Sequence, residues 1–167
     1  MRFTKKVCLL GDFSVGKTSL IRRFVYDAFT DKYITTVGTK ISSKIVKISD
    51  EIEVNIMIWD IVGNLFYKTL QLSYFKGSNG GLLVYDITRE DTLINLRNWV
   101  DRFQKVVGKV PLIFIANKID LKDQVKFGLK ESEDVLREFN SPFFVSSAKT
   151  GENVEKIFNT LGKNMVR

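Results

Sequence analysis

The stretch Lys5-Lys6-Val7-Cys8-Leu9-Leu10-Gly11-Asp12-Phe13-Ser14-Val15-Gly16-Lys17-Thr18-Ser19-Leu20-Ile21 decides how the chain reads. Lys5 to Leu10 reads as a buried strand, and Lys17 to Tyr26 reads as a helix with Leu20, Ile21, Phe24 and Val25 on one side. Between them, Gly11 to Thr18 fits GxxxxGK[ST] in the strand-loop-helix setting that this pattern needs. Each fixed position has a physical reason. Gly11 and Gly16 allow tight turns and close approach of backbone to a phosphate. Successive backbone N–H groups and the start of the helix attract anionic oxygens. Lys17 supplies a point charge between β- and γ-phosphates and is a candidate catalytic residue. The Thr18 hydroxyl is a hard oxygen suited to Mg2+. Asp12, Phe13, Ser14, Val15, Gly16, Lys17, Thr18 and Ser19 are the candidate contacts to a nucleoside triphosphate. The competing reading is a glycine-rich turn that holds nothing.

Working outward, short strand-like runs alternate with helix-like segments. Ile52, Val54, Ile56 and Ile58 alternate with Glu53, Asn55, Met57 and Trp59, the period of a strand. Ile41 to Ile48 is a weaker strand, and Ser49-Asp50-Glu51 between the two suggests an antiparallel hairpin. Gly81 to Tyr85 and Val110 to Ala116 are continuous apolar runs, as in central strands buried on both faces. Leu93, Leu96, Val100, Phe103 and Val107 recur at helical spacing between them. Phe143-Phe144-Val145 is a last short strand, and Val154, Ile157, Phe158, Leu161 and Met165 mark a closing helix. The alternation predicts an α/β protein with a mostly parallel sheet and helices on both faces. Such sheets take ligands in loops beyond the carboxyl ends of their strands.

Composition narrows the function. The 167 residues are 44% hydrophobic and 27% charged, and no linker or repeat divides them, which predicts one domain over residues 1–167. A chain of this length buries roughly 70% of its unfolded surface and needs no disulfide or structural metal. No apolar run approaches a membrane span. The N-terminal apolar stretch is too short for a signal peptide. There is no histidine, which removes Ser-His-Asp and Cys-His chemistry and His-ligated metals. The single cysteine, Cys8, reads as a small buried hydrophobe. Residues 1–47 carry ten Lys/Arg against three Asp/Glu, so the net charge of +7 belongs to this quarter of the chain. That patch reads as a solvated face or as an attractor of anions. Without a basic run or interleaved aromatics it does not read as a nucleic-acid site.

The base is read further along. Asn117-Lys118-Ile119-Asp120 follows the run Val110 to Ala116. A carboxylate at Asp120 can accept hydrogen bonds from N1–H and the 2-amino group of guanine. Adenine offers neither and would leave that charge unpaired, a mismatch that discriminates strongly. Lys118 can lay its stem along the base and Asn117 can tie loops together. Ser146-Ser147-Ala148-Lys149 follows the last strand, where the Ala148 amide could donate to guanine O6.

With these motifs in order, the chain from Lys5 to Met165 resembles the small GTPases of the Ras superfamily, nearest to the Rab-like branch. The resemblance implies the P-loop NTPase fold: a six-stranded, mostly parallel sheet with one antiparallel strand, and five helices. It implies that Phe29 flanks the base, and that Ser147, Ala148 and Lys149 join the nucleotide contacts. Trp59-Asp60 and Ser73-Tyr74-Phe75-Lys76-Gly77 look like Rab-type signatures. Asp60 to Gly63 matches DxxG; its carboxylate can hold Mg2+, and the Gly63 N–H can reach the γ-phosphate. Thr36, preferred over Thr35 because Val37-Gly38 follow it, matches the first-switch threonine and completes a metal set of Thr18, Thr36 and Asp60. Loss of the γ-phosphate would release Thr36 and Gly63, and partners would read the change. Thr36, Gly63, Asn64 and Lys17 are the candidate catalytic residues. Effector, exchange-factor and GTPase-activating proteins are the implied partners. A partner surface is expected around Ile41, Trp59 and Tyr74.

Two positions depart from the family pattern. Asn64 stands where glutamine usually orients the attacking water; it is one methylene shorter, and about 1.5 Å is enough to spoil such positioning. Phe13 occupies a phosphate-loop position that is usually small, where a ring could crowd the γ-phosphate or an incoming arginine. Both predict slow hydrolysis. The alternatives are a pseudo-GTPase that holds guanine nucleotide without useful turnover, and an ATP-using P-loop enzyme, against which Asp120 argues. The C-terminal Lys163-Asn164-Met165-Val166-Arg167 has no cysteine to prenylate. A cytoplasmic protein is expected, with membrane contact only through a partner, a further tail or the basic N-terminal quarter.

Overall fold

In the computed structural model, which describes residues 1–30, 39–61, 68–125 and 127–167, the first strand runs down the middle of the sheet. Strand β1 (Arg2–Leu10) pairs in parallel with β3 (Glu53–Asp60) on one side and with β4 (Gly80–Asp86) on the other. Beyond β4 lie β5 (Leu112–Asn117) and β6 (Phe143–Val145), both parallel. Strand β2 (Lys40–Lys47) closes the opposite edge and is the one antiparallel member, paired Ile41 to Trp59 and Val46 to Val54. The order is β2-β3-β1-β4-β5-β6.

Alternation along each strand sends side chains into two separate cores. Val7 and Leu9 of β1, Leu82 and Val84 of β4, and Ile113 and Ile115 of β5 face a layer formed by α1 (Lys17–Tyr26) and α6 (Val154–Asn164). Cys8, Leu10, Leu83, Tyr85 and Phe114 face the other layer. That layer holds α2 (Lys68–Phe75), α3 (Glu90–Ile94), α4 (Leu96–Val107) and α5 (Leu129–Leu136). Every residue of β4 and β5 is buried, as their unbroken apolar runs require. On the α1–α6 side, Phe24 and Phe158 stack with ring centroids 3.8 Å apart.

The described residues hold six α-helices where five were expected. The extra one is the short α3, which is separated from α4 only by Asn95 at φ −74°. Other boundaries moved for local reasons. Strand β1 begins at Arg2 because its first residues pair with β3 from Glu53 onward, and the Arg2 guanidinium binds Glu53 at 2.8 Å. Strand β5 begins after Pro111, which has no N–H to give the ladder, although its carbonyl accepts the Gly81 N–H at 3.0 Å. No helix among the described residues is long and apolar enough to cross a membrane.

Candidate functional site

Because β1, β3, β4, β5 and β6 run parallel, their carboxyl ends share one edge of the sheet, where Gly11 to Thr18, Asp60, Asn117 to Asp120 and Ser147 to Lys149 lie. The loop Gly11–Gly16 turns where only small residues fit. Gly11 has φ 143°, and a Cβ there would sit 2.2 Å from the Val84 carbonyl oxygen. Gly16 has φ 100°, and its Cβ would sit 2.4 Å from the Asn117 amide nitrogen. The tight packing of loop on strand end leaves the backbone of the loop as a cradle.

Lys17 opens α1 and is buried, with its ammonium donating to the carbonyls of Gly11 and Asp12, each at 2.8 Å. Burial pushes this ammonium down to about 8; Asp60 and Asp12 pull the other way, and Arg89 adds to the fall. A cation held out of water on backbone carbonyls is suited to an incoming polyanion. The Thr18 hydroxyl donates to the Asp60 carboxylate at 2.5 Å, so the two hard oxygens expected to hold Mg2+ already face each other. Ser19 is half-buried on α1.

The base-reading loop is tied directly to the phosphate loop. Asn117, buried at the end of β5, donates to the Val15 carbonyl at 2.9 Å and accepts from the Ser146 hydroxyl at 3.1 Å. Lys118, at φ 70°, donates to the Ser14 carbonyl at 2.9 Å and pairs with Asp86 at 2.7 Å. Asp120 is exposed in the 3-10 turn Ile119–Gln124, and the Ser147 hydroxyl donates to it at 2.7 Å. Ala148 is buried beside it, and the carbonyls of Ala148 and Lys149 accept the Arg23 guanidinium at 2.8 and 2.6 Å. Phe29 is half-buried and packs against the α1–α6 core. Thr36, Gly63 and Asn64 lie outside the described residues.

The sequence of this chain matches the profile of the Ras family over residues 6–167.

The chain belongs to the Ras family, on its Rab-like side.

It is similar to Ras-related protein Rab-21 of Homo sapiens, with 36% identity over 165 residues, covering 98% of this chain and 73% of that protein. Ras-related protein Rab-13 of Rattus norvegicus is 34% identical over 162 residues, covering 96% of this chain and 79% of its own length. Ras-related protein SEC4 of Saccharomyces cerevisiae is 36% identical over 159 residues, covering 95% and 73%. This small GTPase therefore has the family's fold and is a GTP-binding protein.

Several side chains of this GTPase surround the site without having been legible as site residues. Asp12 accepts from Asn95 at 2.5 Å and from the Trp99 indole at 2.8 Å, which fastens the phosphate loop to the start of α4. Arg89 donates to the Phe13 carbonyl at 2.7 Å. Asp86 is a buried polar residue at the carboxyl end of its strand, as Asp60 and Asn117 are at the ends of theirs; that shared position was the available signal. On the side of the sheet that carries α2, the half-buried Trp59 and Tyr74 lie 6.0 Å apart between ring centroids, and the Lys6 ammonium stands 3.8 Å over the Trp59 ring. Ile41, paired with Trp59 across the β2–β3 ladder, is 48% exposed.

Proposed function

We propose that this protein is a guanine-specific molecular switch that binds GTP and GDP with Mg2+, hydrolyses GTP slowly, and offers segments near Thr36 and Gly63 to partner proteins. The observation that carries the reading is Asp120: an exposed carboxylate held by the Ser147 hydroxyl, on a loop whose Asn117 and Lys118 grip the phosphate loop. One rigid unit thus presents a guanine-type acceptor and a phosphate cradle together. A base seated at Asp120 would take that carboxylate out of water, and only a base with two donors at that edge would compensate the loss.

Thr18 and Asp60, with Thr36 from the sequence reading, are the residues that would hold Mg2+; the ion supplies positive charge against the phosphates. The hydroxyl and carboxylate oxygens at 2.5 Å fit such a hard cation. Lys17 contributes a second, fixed cation. Gly63 contributes a backbone donor, and Asn64 orients water less well than a longer amide would. Phe13, 47% exposed at the rim of the loop, adds bulk where the phosphate chain would end. These two residues also support the second reading, a pseudo-GTPase.

The face made by Ile41, Trp59 and Tyr74 is the proposed docking surface for effectors, with exchange factors and GTPase-activating proteins as further partners. The protein works in the cytoplasm, with membrane contact through a partner, a further tail or the basic N-terminal quarter. A prolonged single-turnover incubation with γ-labelled GTP and Mg2+ tests the catalytic part. Slow release of phosphate supports the switch, and full recovery of unhydrolysed GTP supports the pseudo-GTPase.

A further inference from the structure

Asp86 joins parts of the site that the motifs treat separately. Its side chain is only 3% exposed at the end of β4. One carboxylate oxygen accepts the Thr88 N–H at 2.8 Å and the Thr88 hydroxyl at 2.7 Å. The other accepts the Lys118 ammonium at 2.7 Å and lies 3.6 Å from the Arg89 Nε. Those two cations then reach consecutive carbonyls of the phosphate loop: Lys118 holds Ser14 at 2.9 Å and Arg89 holds Phe13 at 2.7 Å.

Peptide planarity gives this grip a consequence. The C=O of one residue and the N–H of the next point in opposite directions across a trans peptide. Fixing the Phe13 carbonyl therefore directs the Ser14 N–H, and fixing the Ser14 carbonyl directs the Val15 N–H. Asn117, on the Val15 carbonyl at 2.9 Å, does the same for the Gly16 N–H. Three successive amide groups are thereby turned away from their cationic and amide holders, the arrangement that makes an anion-binding concavity. Lys and Arg side chains lose much rotamer freedom when fixed. Ordering them before a ligand arrives lowers what binding must spend on ordering. A buried carboxylate is otherwise unfavourable, and here it is offset by its two cations and the two Thr88 donors.

We propose that Asp86 is a positioning residue for nucleotide binding: one buried carboxylate orients Lys118 and Arg89, which hold the Ser14 and Phe13 carbonyls and so aim the amides of the phosphate loop. The proposal rests on the guanine-nucleotide reading above.

The test is the dissociation rate of a fluorescent GDP analogue from the full chain in Mg2+, for the wild type, Asp86→Asn, Arg89→Gln, Arg89→Lys and the double variant Asp86→Asn/Arg89→Gln. Urea unfolding midpoints are measured alongside. Asp86→Asn is expected to speed release roughly tenfold or more, the scale of losing charge-assisted hydrogen bonds. Arg89→Gln, at a side chain 38% exposed, speeds it several-fold, and Arg89→Lys recovers part of that loss. The double variant falls short of the product of the two single effects, because both act through one network. A lower unfolding midpoint with release rates within twofold of the wild type overturns the proposal, as do fully multiplicative effects. Failure of the wild type to retain the GDP analogue overturns both the proposal and the nucleotide reading.

Discussion

The Thr18 hydroxyl and the Asp60 carboxylate meet at 2.5 Å, one from the start of α1 and the other from the end of β3. The contact joins the start of a helix to the carboxyl end of a strand and sets the two oxygens within reach of one hard cation. Thr18→Val keeps the shape and removes the oxygen. Chelation of Mg2+ is expected to speed GDP release from the wild type by an order of magnitude or more, on the scale of losing charge-assisted contacts. Thr18→Val releases GDP quickly with or without chelator. Equal sensitivity to chelator in both proteins contradicts the assignment of these oxygens to the metal.

The proposed slow hydrolysis assigns the limiting effects to Phe13 and Asn64. Relatives with glutamine at the second position turn over unaided at only about 10⁻⁴ s⁻¹. The wild type is expected below that, with Asn64→Gln and Phe13→Ser each raising the single-turnover rate and the pair raising it most. Rates unchanged by either substitution sink the explanation.

The Trp99 indole is fully buried and donates to Asp12 at 2.8 Å. Trp99→Phe fills most of the same volume but leaves Asp12 with one donor fewer. The expected loss is about 1–3 kcal/mol of unfolding free energy, the usual net worth of a hydrogen bond to a charged group. Urea denaturation of the nucleotide-loaded protein measures it. A variant as stable as the wild type means that Asn95 alone satisfies the carboxylate.

Acid should undo the Asp86 pair. Burial pushes this carboxyl up, but the hydrogen bonds from Lys118 and Thr88 together with the Lys118 charge outweigh it and leave it below the usual range. A carboxylate depressed in the folded state stabilises above its unfolded value of about 3.9, and that contribution is lost as the pH falls through the folded value. The difference in unfolding midpoint between the wild type and Asp86→Asn is therefore full at pH 6 and narrows below pH 4. A difference that stays constant across that range removes the ion pair from the account.

What was legible in the sequence followed from local periodicity and from short motifs. Helix α1 and strand β6 have the bounds that their apolar spacing predicts, because both are flanked by residues that stop them; α1 ends at Asp27 in the left-handed region. Helices α2 and α5 could not be read that way. In α2, Leu70 and Leu72 are exposed while the polar Gln71 is buried. In α5, Ser132 is buried and Val135 is exposed. Inverted burial of this kind erases the helical stripe on which a periodicity argument depends. The glycines, Lys17, Thr18 and Asn117 to Asp120 were legible because each motif is contiguous. Arg89, Asn95 and Trp99 were not, since they reach the phosphate loop from positions some 70 to 90 residues away that only the sheet order brings together, and Asp86 reaches it only through Arg89 and Lys118.

The most direct test is a titration of the nucleotide-free wild type, in Mg2+, with fluorescent GDP and with the matching ADP analogue. A carboxylate at Asp120 held by Ser147 predicts GDP binding tighter by at least a thousandfold, since the adenine edge leaves a desolvated charge unpaired. Equal affinities, or tighter binding of the adenine compound, would contradict the account.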